Sequence, residues 1–380
     1  MIYFDNSATT KPYAEVLDSF FKISNDFFGN PSSLHGLGSQ SEKLLSQARI
    51  QMANLLNVKP GEIIFTSGGT ESNNFAIKGA AFMYKKRGNH LITSSVEHPS
   101  VSKAMEQLEE LGFEVTYLPV DKNGKVQVED VERAIRKDTI LISVMHVNNE
   151  VGTVQPIREV GKLLEKYPNI LFHVDAVQGI GKMDLPLKDF GVDMCSISAH
   201  KFHGLKGTGA LFVREGVGLT PLLSGGEQER NMRSGTENVA GAVAMAKALR
   251  MTMEKKEKGI EKMKNVQRGL IDDFGEMEGI IVHTQIESAS PHIVNFSVPG
   301  IKSEVFIHAL EQEHIFVSTT SACSSKKKSP SKTLLAMGVP EPIADSSIRI
   351  SLSYENTEEE AAAVLNAIKR VVNKLRKVMN

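Results

Sequence analysis

Short apolar runs recur along the first two-thirds of the chain, each followed by a longer amphipathic stretch. Residues 63–65, 91–93, 115–120, 139–147, 171–174, 194–197 and 210–213 have the length and apolar content of strands. Between them, residues 74–86, 100–111, 128–135 and 157–167 read as helices. Strands alternating with helices predict an α/β fold with a largely parallel sheet. The strands are apolar throughout, so the sheet should be covered on both faces.

The texture changes near Asn238. A lysine-rich helix is expected to about residue 274, and it should bridge two lobes. Strand-like runs follow at 280–283, 292–297, 315–318 and 347–351, with helices at 303–311 and from 357 onward. That mixture predicts a smaller α+β domain. Residues 323–331 (Cys-Ser-Ser-Lys-Lys-Lys-Ser-Pro-Ser) are polar and turn-rich, and they read as a mobile surface loop.

Composition narrows the function classes. The 44 Lys+Arg balance 45 Asp+Glu, so no global charge draws the chain to nucleic acid or an anionic membrane. With no recognisable RNA-binding motif either, direct nucleic-acid binding is not expected. Two cysteines, Cys195 and Cys323, are too few for a disulfide framework and match no metal-ligand spacing. A reducing, cytoplasmic setting and no bound metal are therefore expected. The first residues lack a basic region followed by an apolar one, and no run approaches the ~20 apolar residues of a membrane span.

Three stretches carry candidate chemistry. Thr66-Ser67-Gly68-Gly69-Thr70-Glu71 follows a strand and opens a helix, where backbone N–H groups suit a phosphate. A tight strand-to-helix turn accounts for the glycines equally well. His173-Val174-Asp175 puts an acid at a strand's C-terminal end, where open α/β sheets bind ligands; a helix cap or salt bridge is the alternative. Ser198-Ala199-His200-Lys201 ends the next strand with a lysine, which on its own reads as a residue snorkelling to the surface. The combination is what is specific. A phosphate loop, a strand-end acid and a strand-end lysine are the set that pyridoxal 5'-phosphate (PLP) needs.

With these stretches, the chain resembles the NifS/IscS-like cysteine desulfurases of the class V aminotransferase group, which are fold-type I PLP enzymes. The likeness spans nearly the whole chain. It includes Asp5-Asn6-Ser7-Ala8-Thr9-Thr10, Gly29-Asn30-Pro31-Ser32-Ser33, Val96-Glu97-His98, Asn148-Asn149-Glu150-Val151-Gly152, Arg233-Ser234-Gly235-Thr236, Ser321-Ala322-Cys323-Ser324 and Ser347-Ile348-Arg349-Ile350-Ser351.

The resemblance implies a large domain over 1–255 with a mostly parallel seven-stranded sheet. A small α+β domain over 256–380 would carry the cysteine loop, and residues 1–14 would pack on it. Lys201 would anchor the cofactor and move a proton at the substrate Cα. Asp175 would pair with the ring nitrogen, His98 would stack on the ring, and Gln178 would bond the ring hydroxyl. Gly69, Thr70, Ser198 and His200 would bind the phosphate, and Thr236 would reach the phosphate of the other subunit of a homodimer. Asn149 would sit near the ring hydroxyl and the substrate carboxylate, with Asn148 as the alternative, and Arg349 would hold that carboxylate. Cys323 would take sulfur from L-cysteine as a persulfide and release alanine. A sulfur-acceptor protein serving tRNA thiolation or iron–sulfur cluster assembly would receive it. The competing readings are a selenocysteine lyase, another enzyme of the group, and a non-catalytic sulfur-relay scaffold. The Lys326-Lys327-Lys328 triplet is unusual for the family. It either favours the Cys323 thiolate or merely solvates the segment.

Overall fold

The computed structural model of the chain describes residues 1–319 and 330–379. In order, the elements are β1 (Ile2–Tyr3), α1 (Ala14–Asp26), α2 (Gly36–Leu55), β2 (Ile63–Thr66), α3 (Gly69–Tyr84), β3 (His90–Ser94), α4 (Pro99–Glu110), β4 (Glu114–Leu118), α5 (Val128–Ala134), β5 (Thr139–Met145), α6 (Ile157–Leu164), β6 (Leu171–Asp175), β7 (Met194–Ser198) and β8 (Gly209–Val213). Then come α7 (Val239–Glu276), β9 (Ile281–Val282), β10 (Ile293–Ser297), α8 (Ser303–Glu311), β11 (Ile315–Phe316), β12 (Ser318–Thr319), α9 (Lys332–Ala336), α10 (Glu341–Ala344), β13 (Ser347–Ser351) and α11 (Glu358–Met379).

A seven-stranded sheet runs in the order β2-β8-β7-β6-β5-β3-β4. It is parallel except at β8, which lies antiparallel to both of its neighbours. Alternate side chains enter opposite covers, as the period of a strand requires. Ile142, Phe172 and Phe212 pack toward the core that holds Ala244 to Ala246 of α7. Leu141, Leu171 and Leu211 pack toward Phe75, Ala76 and Val101 of α3 and α4. This double cover is why most of the strands read as largely apolar runs.

A second core surrounds a four-stranded antiparallel sheet of order β12-β13-β10-β9. The 38-residue α7 joins the two cores. Ala242 to Leu249 pack in the first, and Met263, Val266, Leu270 and Phe274 in the second. The N-terminal segment also connects them. β1 pairs with β11, Phe4 is buried in the second core, and Thr10 N–H reaches the carbonyl of His200.

Several expected boundaries move for local reasons. α3 starts at Gly69 rather than residue 74, because the polar residues from Thr70 to Asn73 form its first turn. α6 ends at Leu164, short of Pro168, whose ring disfavours helical geometry before it. The strand expected over 315–318 is two short strands serving different sheets. Among the described residues, no helix is long and apolar enough to cross a membrane.

Candidate active site

The parallel strands β3, β5, β6 and β7 deliver their C-terminal ends to one rim of the large sheet. There a cavity of about 220 Å³ opens. Its wall includes Gly69, Thr70, His98, Asn149, Asp175, Gln178, Ser198, His200 and Lys201, together with Ala8, Asn73 and Ser100. Residues spread from position 8 to position 201 therefore meet around one space.

At one end of the cavity, α3 begins without a side-chain cap: Gly68 at its N-cap has φ +149° and offers no side-chain acceptor. The first-turn N–H groups of a helix have no intrahelical partner, so this terminus is fit to receive an anion. The turn is tight because β8 runs backward between β2 and β7, which sets Gly209 opposite both Thr66 and Ser198. A Cβ on Gly209 would lie 2.5 Å from the Gly68 Cα. We therefore expect Gly209→Ala to push the α3 start away from the cavity and to cost about 1–3 kcal/mol of stability. Urea unfolding measures the cost, and an unchanged midpoint would show that the turn yields freely.

At the floor, Asp175 closes β6. Its Oδ1 accepts from Val177 N–H at 3.0 Å and its Oδ2 from Asn73 Nδ2 at 2.7 Å. Asn73 Nδ2 also donates to Ser100 Oγ at 2.8 Å, and Ser100 Oγ lies 2.8 Å from His98 Nδ1. The Ser100 N–H reaches the same nitrogen at 3.2 Å. His98 Nδ1 is thus an acceptor, and a neutral ring carries its proton on Nε2. Burial lowers the His98 pKa; the Asp175 charge opposes this, and Lys201 adds to it.

Lys201 follows β7 on a short helical turn. Its Nζ donates to the carbonyls of Ser7 and Ala8, the latter at 2.8 Å. Below it, buried Lys182 donates from Nζ to the Lys201 carbonyl at 2.9 Å. Burial, and then the Lys201 charge, bring Lys182 down to about 7. His200 falls to about 4 through burial and then through Lys201, Lys206 and Lys182.

Arg349 lies beside the cavity wall. Its Nη1 donates to the Asn149 carbonyl at 2.8 Å and its Nη2 to Asp5 Oδ1 at 3.1 Å. Asn148 is fully buried and fastens the loop: its Nδ2 donates to the Val96 carbonyl, and its Oδ1 accepts from Glu150 and Val151 N–H. Thr236 is not in this cavity. It lines a neighbouring one of about 240 Å³ with Thr66, Ser67, Gly209 and Arg233. Cys323 and Lys326 to Lys328 lie outside the described residues. Among those described, the one thiol is Cys195, buried in β7 with its pKa raised by burial, and no cluster of His, Cys, Asp or Glu suits a metal ion.

Sequence reasoning missed Asn73, Ser100 and Lys182. Asn73 sits in the Gly68-to-Asn73 stretch, four residues past Gly69 and so on the same helix face; that spacing was the available signal. Lys182, between a glycine and a methionine in a polar turn, offered none.

A fold and site of this kind define a family, and the chain belongs to it. The model of the aminotransferase class-V family matches residues 2–364. Within it, the chain is 46% identical to a "NifS/IcsS protein homolog" of Lactobacillus delbrueckii subsp. bulgaricus, over 100% of this chain and 99% of the relative. It is 43% identical to "Cysteine desulfurase IscS" of Dictyoglomus turgidum, over 99% and 96%. Among solved structures, a "NIFS-LIKE PROTEIN" superposes with a TM-score of 0.91 at 38% identity, covering 99% of both chains. "SspA in complex with cysteine" gives 0.82 at 36%, over 93% of this chain and 99% of that one.

Proposed function

We propose that the protein is a PLP-dependent cysteine desulfurase that moves sulfur from L-cysteine to Cys323. The carrying observation is the convergence of Lys201, Asp175, His98 and the uncapped start of α3 on one cavity. That donor set fits the cofactor at each end: helix N–H groups and hydroxyls suit a phosphate, and a buried carboxylate suits a protonated pyridine nitrogen. When bound, PLP supplies an electron sink for the pair left by deprotonation at the substrate Cα.

The chain's own groups do the rest. The first-turn N–H groups at Gly69 and Thr70, with Ser198 and His200, hold the phosphate. Asp175 keeps the ring nitrogen protonated, and Asn73 and Val177 fix the orientation of that carboxylate. His98 lies against the ring, and Gln178 donates to the ring oxygen. Lys201 is the anchor and carries the proton to and from Cα. Arg349, held at Nη1 and Nη2, presents its guanidinium to the substrate carboxylate, a task suited to its planar fork, and Asn149 stands beside it.

Cys323 then attacks the substrate sulfur as its thiolate. An S–S bond forms and the substrate C–S bond breaks, with the electron pair staying on the carbon skeleton. That skeleton is protonated and leaves as alanine. The other thiol supports this assignment: Cys195 is walled into β7, and only a thiolate reacts.

The proposal extends to a homodimer, to passage of the sulfur to an acceptor protein for tRNA thiolation or iron–sulfur assembly, and to a cytoplasmic setting. Two features support the dimer. Thr236 stands outside its own chain's cavity, and Phe21, Phe28, Leu34, Leu37 and Ile50, clustered between positions 21 and 50, expose apolar surface. The setting follows from a chemistry that needs a free thiol.

The test is to incubate purified, cofactor-loaded protein with L-cysteine and a reductant and to measure both products. Alanine and sulfide in equal amounts are expected. Cofactor binding without sulfide would sink the desulfurase reading and turn attention to selenocysteine or an amino-group acceptor.

A further inference from the structure

A chain of buried polar groups runs from the small sheet into the cavity. Ser290 Oγ lies 2.6 Å from His292 Nδ1. His292 Nε2 lies 3.3 Å from Gln178 Oε1. Gln178 Nε2 donates to the Ser7 carbonyl at 3.0 Å, and the Lys201 amine uses that same carbonyl. Ser290 and His292 are fully buried and Gln178 nearly so. The proposed reaction uses Gln178 but has no task for His292 or Ser290.

The direction of each bond follows from the inventory of donors. His292 is held well below its usual pKa by burial first, and then by the charges of Lys182, Arg349 and Lys201. It is a neutral imidazole with one proton. A neutral imidazole bonded at both nitrogens accepts at one and donates at the other. The two possible settings differ in the orientation of the Gln178 amide. If Nδ1 accepts the Ser290 hydroxyl proton, Nε2–H donates to Gln178 Oε1. The amide NH₂ then faces Ser7 and the cavity. The reverse setting turns the Gln178 oxygen toward the Ser7 carbonyl oxygen, two acceptors with no proton between them in a dry site, which is costly. The first setting satisfies every group. It uses one Gln178 N–H on Ser7 and leaves the second for a group in the cavity.

We propose that His292 is a positioning residue: from β10's leading edge in the small sheet, it locks the Gln178 amide with its NH₂ toward the cofactor cavity. This deepens the functional reading above and rests on Gln178 donating to the ring oxygen. His292 touches neither cofactor nor substrate; it acts through Gln178, and Ser290 selects its tautomer.

The test compares His292→Leu, Gln178→Leu and the double variant. Its readouts are PLP affinity of the apo-protein and the pH at which the bound cofactor's visible absorption band titrates. Each single variant is expected to weaken PLP about three- to tenfold and to move the titration by about half to one pH unit, the size one hydrogen bond supplies. The double variant should match Gln178→Leu alone. His292→Asn, whose amide can still donate to Gln178, should retain wild-type behaviour. Should His292→Leu fail to fold, Ser290→Ala is expected to give a smaller shift in the same direction, absent in the Gln178→Leu background. Effects that add in the double variant would overturn the proposal, as would a folded His292→Leu with wild-type affinity and titration. A Gln178→Leu protein indistinguishable from wild type would instead sink the reading that Gln178 meets the cofactor.

Discussion

Lys201→Ala is expected to lower alanine and sulfide formation by about 10³-fold or more, which is within reach of losing one general acid–base group and greater still if the cofactor's anchor goes with it. The geometry says why no neighbour substitutes. The buried lysine nearby, Lys182, spends its Nζ on the Lys201 carbonyl and lies in the packing behind the turn, not on the cavity wall. The Lys201 amine, by contrast, is held inside the cavity by the carbonyls of Ser7 and Ala8. A role through charge alone would be rescued by Lys201→Arg, which keeps the cation and loses the transferable proton. A role as proton carrier would not be. The deciding measurement is deuterium incorporation at Cα of the substrate or of the alanine formed. It should fall with turnover in both variants. Exchange at the wild-type rate in Lys201→Ala would remove the lysine from the proton transfer.

The positions that make up this site differed in how clearly the sequence announced them. Asp175, which ends an apolar strand, and Lys201, three residues past the end of the next, stood out only in combination, at the place where a parallel sheet presents side chains to a ligand. The Gly68-Gly69 turn stood out for the same reason, at the junction of strand and helix. The strands were legible because both faces of most of the sheet are covered, so their positions are mainly apolar, and the polar residues that interrupt them, such as Thr93, Ser143, His173 and Ser196, are themselves buried. α2 was not, because polar and small residues such as Gly38, Ser41 and Ser46 interleave with its apolar positions. The partners of the site residues were also hidden. Ser100 reaches Asn73 across 27 positions, and His292 reaches Gln178 across 114. No local pattern encodes such a contact; only the packing of α3 on α4 and of one core on the other creates it. β8 is a further case: its apolar run looks like its neighbours', and nothing in it signals that it runs antiparallel. Yet that reversal is what places Gly209 against Gly68.

Cys323→Ala should separate the two halves of the reaction. Proton removal at Cα needs Lys201 and the cofactor, and neither involves Cys323. Cleavage of the substrate C–S bond needs a nucleophile for the sulfur, and the chain offers two thiols in all. Cys195 is fully buried in β7, with its thiol pushed up by burial and by the Asp175 charge, so it has neither access nor thiolate character. Cys323→Ala is therefore expected to cut alanine and sulfide formation about 10³-fold or more while deuterium exchange at the cysteine Cα continues near the wild-type rate. Cys195→Ser should leave turnover within about twofold, provided the hydroxyl is tolerated in the core. Alkylation before turnover should block the wild type and leave the exchange of Cys323→Ala unchanged. If sulfide and alanine persist undiminished without Cys323, the sulfur leaves the substrate by another route, and Cys323 loses its role even though the Lys201 chemistry stands. If exchange and sulfide vanish together, the thiol acts at or before removal of the Cα proton, and the order of steps is reversed.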